Sequence, residues 1–146
     1  DESGLSVKQK DDNQGYDKID INKSEYEDLI TAGFSKSQAE KISVYKEFAG
    51  DVFSINELSA IKGFGKAGME KAEKFLYVSR DEKVRNRHNI NKLDEDTLKL
   101  TGFTNKEIKI ILPVIKTKKI RSNIELIELI GSDRYTEIES RLKYYD

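Results

Sequence analysis

The sequence predicts an all-α fold made of two tandem repeats of four short helices each, preceded by a disordered tail. Its 146 residues are 36% hydrophobic and 36% charged, which is enough apolar material for one compact domain or two small ones. Apolar residues recur at intervals of three and four, as on one face of a helix. No segment alternates polar and apolar residues in the way of a half-buried strand. The chain also repeats itself.

The internal repeat is seen when the chain is compared with itself at an offset of 69 residues, which becomes 68 after one deletion near Gly50. The matched positions are Ile21–Lys23 with Ile90–Lys92, Gly33-Phe34 with Gly102-Phe103, Gly63 with Gly131, and Tyr77 with Tyr145. These identities fall on glycines, helix caps and apolar anchors, the positions that define a small helical fold. We therefore interpret the chain as the product of a duplication.

The repeat divides the chain into four segments. Residues 1–18 lack aromatic or aliphatic periodicity and are predicted to be a disordered tail. The first repeat covers residues 19–78, the second covers 88–146, and the basic segment 79–87 is predicted to link them. Since the chain begins at Asp1 rather than at methionine, we expect a fragment or a processed form, in which a signal peptide or membrane anchor would not be visible.

Hydroxyl residues predict where the helices begin. A Ser or Thr followed three residues later by Glu or Gln forms a capping box, in which each side chain bonds to the other residue's amide. The predicted boxes are Ser24/Glu27, Ser35/Gln38 and Ser54/Glu57 in the first repeat and Thr104/Glu107 and Ser122/Glu125 in the second, while Leu93/Asp96 has lost its box. Gly50 predicts a left-handed cap at the end of a helix, and Pro113 predicts a kink or a shortening of the matching helix.

Composition excludes several classes of site. Without cysteine there is no disulfide, thiolate metal site or cysteine nucleophile. The one histidine, His88, takes the place of Ile19 in the first repeat, so we expect a half-buried or linker residue rather than a ligand or a base. The carboxylates are not paired at the spacing of a metal or acid–base site, and we predict no cofactor, no metal and no small-molecule substrate. No apolar run approaches the ~20 residues of a membrane-spanning helix.

Charge restricts how the chain could bind an anionic partner. The net charge is −1, from 26 basic and 27 acidic residues, so no overall positive field attracts nucleic acid or an anionic membrane. Any such binding has to be local. Basic residues are concentrated in two clusters, Arg80, Lys83, Arg85 and Arg87 in the linker and Lys116, Lys118, Lys119 and Arg121 in the second repeat.

Glycine turns join the helix pairs, and their residues resemble a known family. The stretches Leu29–Lys36 and Ala60–Ala67 are similar to the two hairpins of a helix-hairpin-helix domain of the competence DNA-receptor (ComEA-like) type. Ile19–Asn22 and Phe53–Leu58 resemble that family as well. The resemblance extends over the first repeat and, more loosely, over the second. It implies a SAM/HhH-like small helical bundle, a sequence-independent grip on DNA phosphates and an extracytoplasmic location.

The turn Gly63-Phe64-Gly65-Lys66-Ala67 has the features that a phosphate site needs. Phe64 is predicted to plug the core, while the glycines permit positive φ and close approach of a partner. Gly65 opens a helix whose free amides and dipole attract an anion, and Lys66 adds positive charge. The other predicted DNA-binding residues are Gly33, Ser35 and Lys36 in the first hairpin and Gly102, Thr104 and Lys106 in the third, where Phe34 and Phe103 are the predicted plugs.

The other hairpins depart from this pattern. Ser35 and Thr104 replace the second glycine of the first and third hairpins and are predicted to cap helices. The fourth hairpin contains Asp133, a carboxylate where a phosphate would approach. One intact hairpin provides few phosphate contacts, so a DNA-binding chain would need help from the two basic clusters.

Two functions stay open. The first is a non-enzymatic DNA-binding module that grips the phosphate backbone without reading bases. The second is a protein-interaction or structural module that keeps the hairpin scaffold but has lost DNA binding; an extrinsic subunit of cyanobacterial photosystem II resembles a degenerate single copy of this fold. An enzyme is not predicted, because the repeats leave no segment for a catalytic domain. DNA binding is favoured if Lys36, Lys66 and the linker lie on one face.

Overall fold

The structure, a computed structural model, describes residues 9–11 and 16–146, with side chains from residue 17 onward. It is all-α, as the sequence predicts, with a few short strands. The chain divides between Val84 and Arg85 into two compact units, which we name the first unit and the second unit. This boundary falls inside the segment predicted to be the linker.

The first unit is built from the helices α1 (Tyr26–Ala32), α2 (Lys36–Ala49) and α3 (Gly65–Phe75). Two 3-10 helices, Ile21–Lys23 and Ile55–Ala60, precede α1 and α3. Strand β1 (Gln9–Asp11) pairs antiparallel with β2 (Tyr16–Asp20), and β2 pairs in parallel with β3 (Leu76–Tyr77). The parallel pair brings the two ends of the first repeat together.

The second unit is built from the helices α4 (Glu95–Thr101), α5 (Asn105–Thr117), α6 (Asn123–Ile130) and α7 (Ser132–Ile138). A 3-10 helix at Ile90–Lys92 precedes α4, and another at Glu139–Arg141 follows α7. Strand β4 (His88–Asn89) pairs in parallel with β5 (Leu142–Lys143). With the six-residue 3-10 helix of the first unit included, residues 16–146 contain four main helices in each unit, as predicted.

The N-terminal strands differ from the sequence prediction. Residues 9–11 and 16–18 of the predicted tail belong to β1 and β2, and the rest of that tail lies outside the described residues. Ile19 is buried and pairs with Leu76, and β2 extends backward from it by main-chain hydrogen bonds. Such bonds do not depend on apolar periodicity, so the sequence pattern contained no sign of them.

Each unit encloses its own core. Fully buried side chains include Leu29, Ile42, Tyr45 and Leu58 in the first unit and Leu98, Ile111, Ile120 and Leu126 in the second. The three predicted plugs are buried, with Phe34 and Phe64 each 4% exposed and Phe103 1% exposed. His88 is half-buried in β4, opposite Leu142, as expected for a structural histidine.

One asparagine in each unit makes the same pair of hydrogen bonds. The side chain of Asn22 donates to the Val52 carbonyl (2.8 Å) and accepts from the Val52 amide (2.7 Å). Asn91 makes both bonds with Ile120 at the same distances, 2.8 and 2.7 Å. This clamp explains why the Ile-Asn-Lys sequence recurs, and it is the kind of shared contact that a duplication predicts.

Replacing Asn22 with alanine is expected to lower the free energy of unfolding of the first unit by about 1–3 kcal/mol, because the fully buried Val52 would keep an amide and a carbonyl without partners. Urea unfolding followed by circular dichroism measures the loss. Asn56→Ala is the matched control, since Asn56 is exposed. Equal stability of the two variants would contradict the role of the clamp.

The end of the second repeat is shorter than predicted. Leu76 pairs with Ile19 in the first unit, and Leu142 pairs with His88 in the second, so Leu142 takes the place of Leu76 at an offset of 66. The predicted match of Tyr77 with Tyr145 is therefore wrong, and Tyr145 is 73% exposed. Two residues fewer separate the hairpin glycine from this leucine in the second unit, where α7 is followed by the 3-10 helix Glu139–Arg141.

Most of the predicted capping boxes are present. The boxes at Ser35/Gln38, Ser54/Glu57 and Thr104/Glu107 are closed from both sides. Ser122 caps α6, but the Glu125 carboxylate accepts from the amide of Arg121 (2.8 Å) rather than from that of Ser122. Local sequence thus places these helix starts correctly, with one partner displaced by a residue.

The first box of each repeat begins one residue later than predicted. The hydroxyl of Ser24 donates to the Ile21 carbonyl (2.8 Å) and closes the preceding 3-10 turn, so it does not cap α1. The amide of Glu25 instead donates to Asp28 (2.9 Å). In the second repeat, where the box was expected to be lost, Asp94 and Thr97 form it.

The ends of α2 and α5 differ between the two units. Gly50 ends α2 with φ 84° and ψ −142°, a glycine conformation that is not the predicted left-handed cap. Helix α5 continues through Pro113 and is one residue shorter than α2, at 13 against 14 residues. Lys119, which matches Gly50 at the offset of 69, is a non-glycine residue with φ 70°. A side chain in this conformation is strained by contact with its own backbone.

Lys119→Gly is expected to stabilise the second unit by about 1 kcal/mol, because glycine adopts this φ without strain. Lys118→Gly serves as the control, since Lys118 has φ −134° and gains nothing from glycine. Both variants remove one lysine from the same segment. Thermal unfolding compares them, and a Lys119→Gly protein that is no more stable than Lys118→Gly would contradict the assignment of strain.

Candidate nucleic-acid interface

The turn Gly63–Ala67 is an open helix start in the first unit. Gly63 and Gly65 have φ of 81° and 69°, and the buried Phe64 lies between them. The first helical bond of α3 runs from the Gly68 amide to the Phe64 carbonyl (3.2 Å). The amides of Gly65, Lys66 and Ala67 therefore have no acceptor within the helix, and they lie at the positive end of its dipole.

The space beside Gly65 is open in the described part of the chain. A Cβ atom built on Gly65 would meet no atom within 4 Å, and Gly65, Lys66 and Ala67 are all exposed. Glycine is thus favoured at position 65 by its positive φ, since no neighbour within the described residues would clash with a side chain there. A partner atom can approach the three amides from solvent without displacing a side chain.

Gly68 holds the plug in place and was missed by sequence reasoning. A Cβ atom on Gly68 would lie 2.8 Å from the ring of Phe64. The ring therefore packs directly on the backbone of the first turn of α3, and this contact fixes the direction of the open amides. A glycine inside a helix is the only sequence signal of such a contact.

Lys41 connects the two hairpins of the first unit and was also missed. Its Nζ donates to the Ser37 hydroxyl in the first turn of α2 (2.6 Å). Its Cε lies 3.2 Å, and its Nζ 3.9 Å, from the position of a Cβ atom on Gly63. A cation from α2 therefore lies against the open turn. Gly63 is more than twenty residues from Lys41 in sequence, so no local motif indicates this contact.

The first hairpin is more closed than the second. Gly33 has φ 125°, and the Ser35 hydroxyl accepts from the Gln38 amide (3.1 Å), which fills the position of the missing glycine. Lys36, the first residue of α2, is exposed. Lys71 of α3 donates to the Gly33 carbonyl (3.2 Å) and to the Gln38 side chain (3.1 Å). Lys71 therefore stabilises this hairpin from inside the unit.

The third hairpin is closed by an ion pair. Gly102 has φ 113°, and Thr104 caps α5 by accepting from the Glu107 amide (3.1 Å). Arg134 donates to both carboxylate oxygens of Glu107 (2.7 and 2.9 Å) and to the Gly102 carbonyl (3.0 Å). The hydrogen bond from Arg134 lowers the pKa of Glu107 and raises its own. Lys106 remains exposed.

Arg134 matches one lysine of the first unit in sequence and a different one in its contacts. In sequence it matches Lys66, but its contacts are those of Lys71, because it bridges the hairpin glycine and the third residue of the capped helix. Arg134 also donates to Glu137 of its own helix (2.7 Å). The residue that matches Lys66 in sequence is thus hydrogen-bonded within the second unit.

The fourth hairpin has neither plug nor open cationic turn. Ser132, which is exposed, takes the place of the buried Phe64. Asp133 is exposed in the first turn of α7 and places negative charge where Gly65 lies in the first unit. The sequence predicts that the Asp133 carboxylate would repel an anion at this hairpin, and its exposed position in the first turn of α7 agrees with that prediction.

Two of the four basic residues of the linker cluster, Lys83 and Arg87, donate to main-chain carbonyls. Lys83 donates to the carbonyls of Ser79 and Asp81, the second at 2.7 Å. Arg87 donates to the carbonyls of Glu139 (3.1 Å) and Leu142 (3.0 Å). These two side chains bind main chain within their own units. The second cluster is exposed at Lys116, Lys118, Lys119 and Arg121.

These features agree with what the family comparison finds. Residues 14–77 match the family model of the helix-hairpin-helix motif. The matched segment contains both hairpins of the first unit, and that motif is generally associated with sequence-independent DNA binding rather than with catalysis. Comparison with curated proteins and with solved structures gave no match.

Two other classes of site were searched for in the described part of the chain. No helix there is both long and apolar enough to cross a membrane. Among the same residues, no group of three or more His, Asp and Glu side chains is placed to hold a metal ion.

Proposed function

We propose that this protein is a non-enzymatic DNA-binding module that holds the phosphate backbone through the helix-hairpin-helix turns of its first unit. The observation that carries the proposal is the open turn Gly63–Ala67, with three amides that lack helical acceptors, Lys66 within the turn and Lys41 beside Gly63. Amides at a helix N-terminus bind anions, and Lys66 and Lys41 add positive charge beside them.

The first hairpin is proposed as a second and weaker contact. Lys36 and the free amides after Ser35 face solvent, although the Ser35 hydroxyl occupies part of the space that glycine would leave. Two hairpins holding two phosphates supply little affinity. We therefore expect micromolar or weaker binding that loses about tenfold between ~50 and ~200 mM salt and that ignores base sequence.

The family type and location are further parts of the proposal. The resemblance of the hairpins to the competence DNA-receptor (ComEA-like) type favours a receptor-like role outside the cytoplasm. The amides of the turn would contact phosphate in single-stranded and double-stranded DNA alike, so a titration should compare a duplex with its separated strand.

Gly65→Asp combined with Lys66→Glu is expected to abolish DNA binding, since both changes place a carboxylate at the open amides. Gly65→Asn with Lys66→Gln is the matched control, because Asn and Asp are similar in size and both tolerate positive φ. Fluorescence anisotropy with a random-sequence duplex measures both. The control loses the Lys66 charge without adding a carboxylate, so it should bind more weakly than the wild type but more tightly than the acidic variant. Equal affinity of the acidic variant and the wild type would exclude this turn from the interface.

The second unit is proposed to serve a different role, as a protein-interaction or structural module that keeps the scaffold. The Arg134–Glu107 pair and Asp133 support this alternative, because they close or oppose the hairpins at which Gly102, Thr104 and Lys106 would bind phosphate. Lys106→Glu should therefore weaken DNA binding less than Lys66→Glu. The opposite order would assign the DNA contact to the second unit.

A further inference from the structure

An open groove runs along one face of α5 in the second unit. Ile108, Leu112 and Pro113 line it with apolar atoms, and Lys109, Lys116 and Glu95 border it with charge. Lys109, Pro113 and Lys116 are exposed. The two lysines are seven residues apart, which is two helical turns or about 10 Å along one side of the helix.

The same face of α2 in the first unit has the opposite charge. At the offset of 69, Glu40 and Glu47 take the places of Lys109 and Lys116, and both glutamates are exposed. Val44, which is 53% exposed, takes the place of Pro113 between them. Each unit thus presents a helix face with an apolar centre between two residues of like charge, and the sign is opposite in the two units. Glu47 also interacts within its own chain, so a lysine from another copy would share it with that partner.

The equal spacing makes the two faces complementary. Because both charge pairs are separated by two turns, each glutamate meets a lysine whether the two helices run parallel or antiparallel. Val44 then lies against Leu112 and Pro113, which removes apolar surface from water.

We infer that the α2 face of one copy of this chain binds the α5 face of another copy, head to tail. The inference does not depend on DNA binding and concerns a surface distinct from the open turn. The contact joins two different patches, so it leaves one face of each kind free and continues into rings or open chains of copies. The partner is a second copy of this chain because the complementary charges and spacing are present in its own first unit.

Two charges at the edges limit the strength of the contact. Glu95 lies beside the lysine face, and Lys36 lies on the same side of α2 as Glu40. One helix pair also buries less than the ~1,200–2,000 Å² of a stable interface. The association is therefore weak, concentration-dependent and sensitive to salt, because its specificity comes from exposed ion pairs.

Sedimentation velocity at low and high salt tests the inference. Protein concentrations from about 10 to about 500 μM cover the range in which a complex with a micromolar to millimolar dissociation constant forms. The weight-average sedimentation coefficient of the wild type is expected to rise with concentration and to rise less at high salt. Lys109→Glu with Lys116→Glu should abolish the rise, and so should Glu40→Lys with Glu47→Lys. Arg121→Glu with Lys143→Glu makes the same charge change outside the groove and should keep the rise.

Mixing the two charge-reversed proteins decides the outcome. Each one supplies the face that the other has lost, so the mixture should associate although neither protein does alone, and this recovery also shows that both variants are folded. Three results would overturn the inference: a wild type that stays monomeric at every concentration, reversed variants that associate as the wild type does, or a mixture that does not recover. A monomeric wild type would show that the groove does not bind a second copy of this chain, and the search would turn to a different protein.

Discussion

Phe64→Ala is expected to lower the free energy of unfolding of the first unit by about 3–5 kcal/mol, the usual range for removing a buried aromatic ring. Phe64 is 4% exposed, and its ring packs on the backbone of α3 at Gly68. Its loss leaves a cavity between the turn and the core. The same change should weaken DNA binding, because the ring fixes the direction of the Gly65–Ala67 amides.

Phe53→Ala is the matched control for this experiment. Phe53 lies in the same unit and is 45% exposed, so its removal should cost less than about 1 kcal/mol. Urea unfolding and duplex titration are carried out on both variants. A Phe64→Ala protein that is as stable as Phe53→Ala would show that the turn does not depend on its plug.

Arg134→Ala is expected to destabilise the second unit by about 2–3 kcal/mol, because the half-buried Glu107 carboxylate loses its ion-pair partner and keeps only the Thr104 amide as a donor, while the Gly102 carbonyl loses its bond to Arg134. Arg121→Ala is the control, since the Arg121 side chain is exposed. Thermal unfolding at neutral pH compares the two. Equal stability of both variants would contradict a structural role for the Arg134 bonds.

The Arg134 effect should depend on pH in a defined direction. Hydrogen bonding from Arg134 lowers the pKa of Glu107 in the folded chain. The pair therefore stabilises the second unit fully when the pH is above the pKa of an unfolded glutamate, about 4.3. This stabilisation is lost as the pH falls through the lower pKa that Glu107 has in the folded chain. The difference between wild type and Arg134→Ala should therefore shrink in acid. Glu107→Gln, which copies Gln38 of the first unit, should remove this dependence.

The parts of the fold that depend on near neighbours could be predicted from the sequence. Three capping boxes, the positive φ of Gly33 and Gly102, and the burial of Phe34, Phe64 and Phe103 follow from residues within a few positions of one another. The repeat was detectable because its identities fall on these positions. Even so, local competition shifted the first box, since the Ser24 hydroxyl bonds to Ile21 instead.

The contacts that distinguish the two units could not be predicted in this way. Lys41 reaches Gly63 and Lys71 reaches Gly33 across the fold, and Arg134 matches Lys66 in sequence while making the contacts of Lys71. Such long side chains choose partners by three-dimensional distance. Sequence patterns therefore indicated which turn was intact, but not that cations from other helices bind the first and third hairpins.

Backbone amide chemical shifts measured by NMR during titration with a random-sequence duplex test the central claim most directly. The amides of Gly65, Lys66 and Ala67 should shift most, those of Lys36 and Ser37 less, and the shifts should fade as salt is raised. The amides of Ser132, Asp133 and Arg134 should stay in place. Shifts concentrated at these last three residues, or none at Gly65–Ala67 under conditions where the duplex binds, would contradict the open turn as the DNA site.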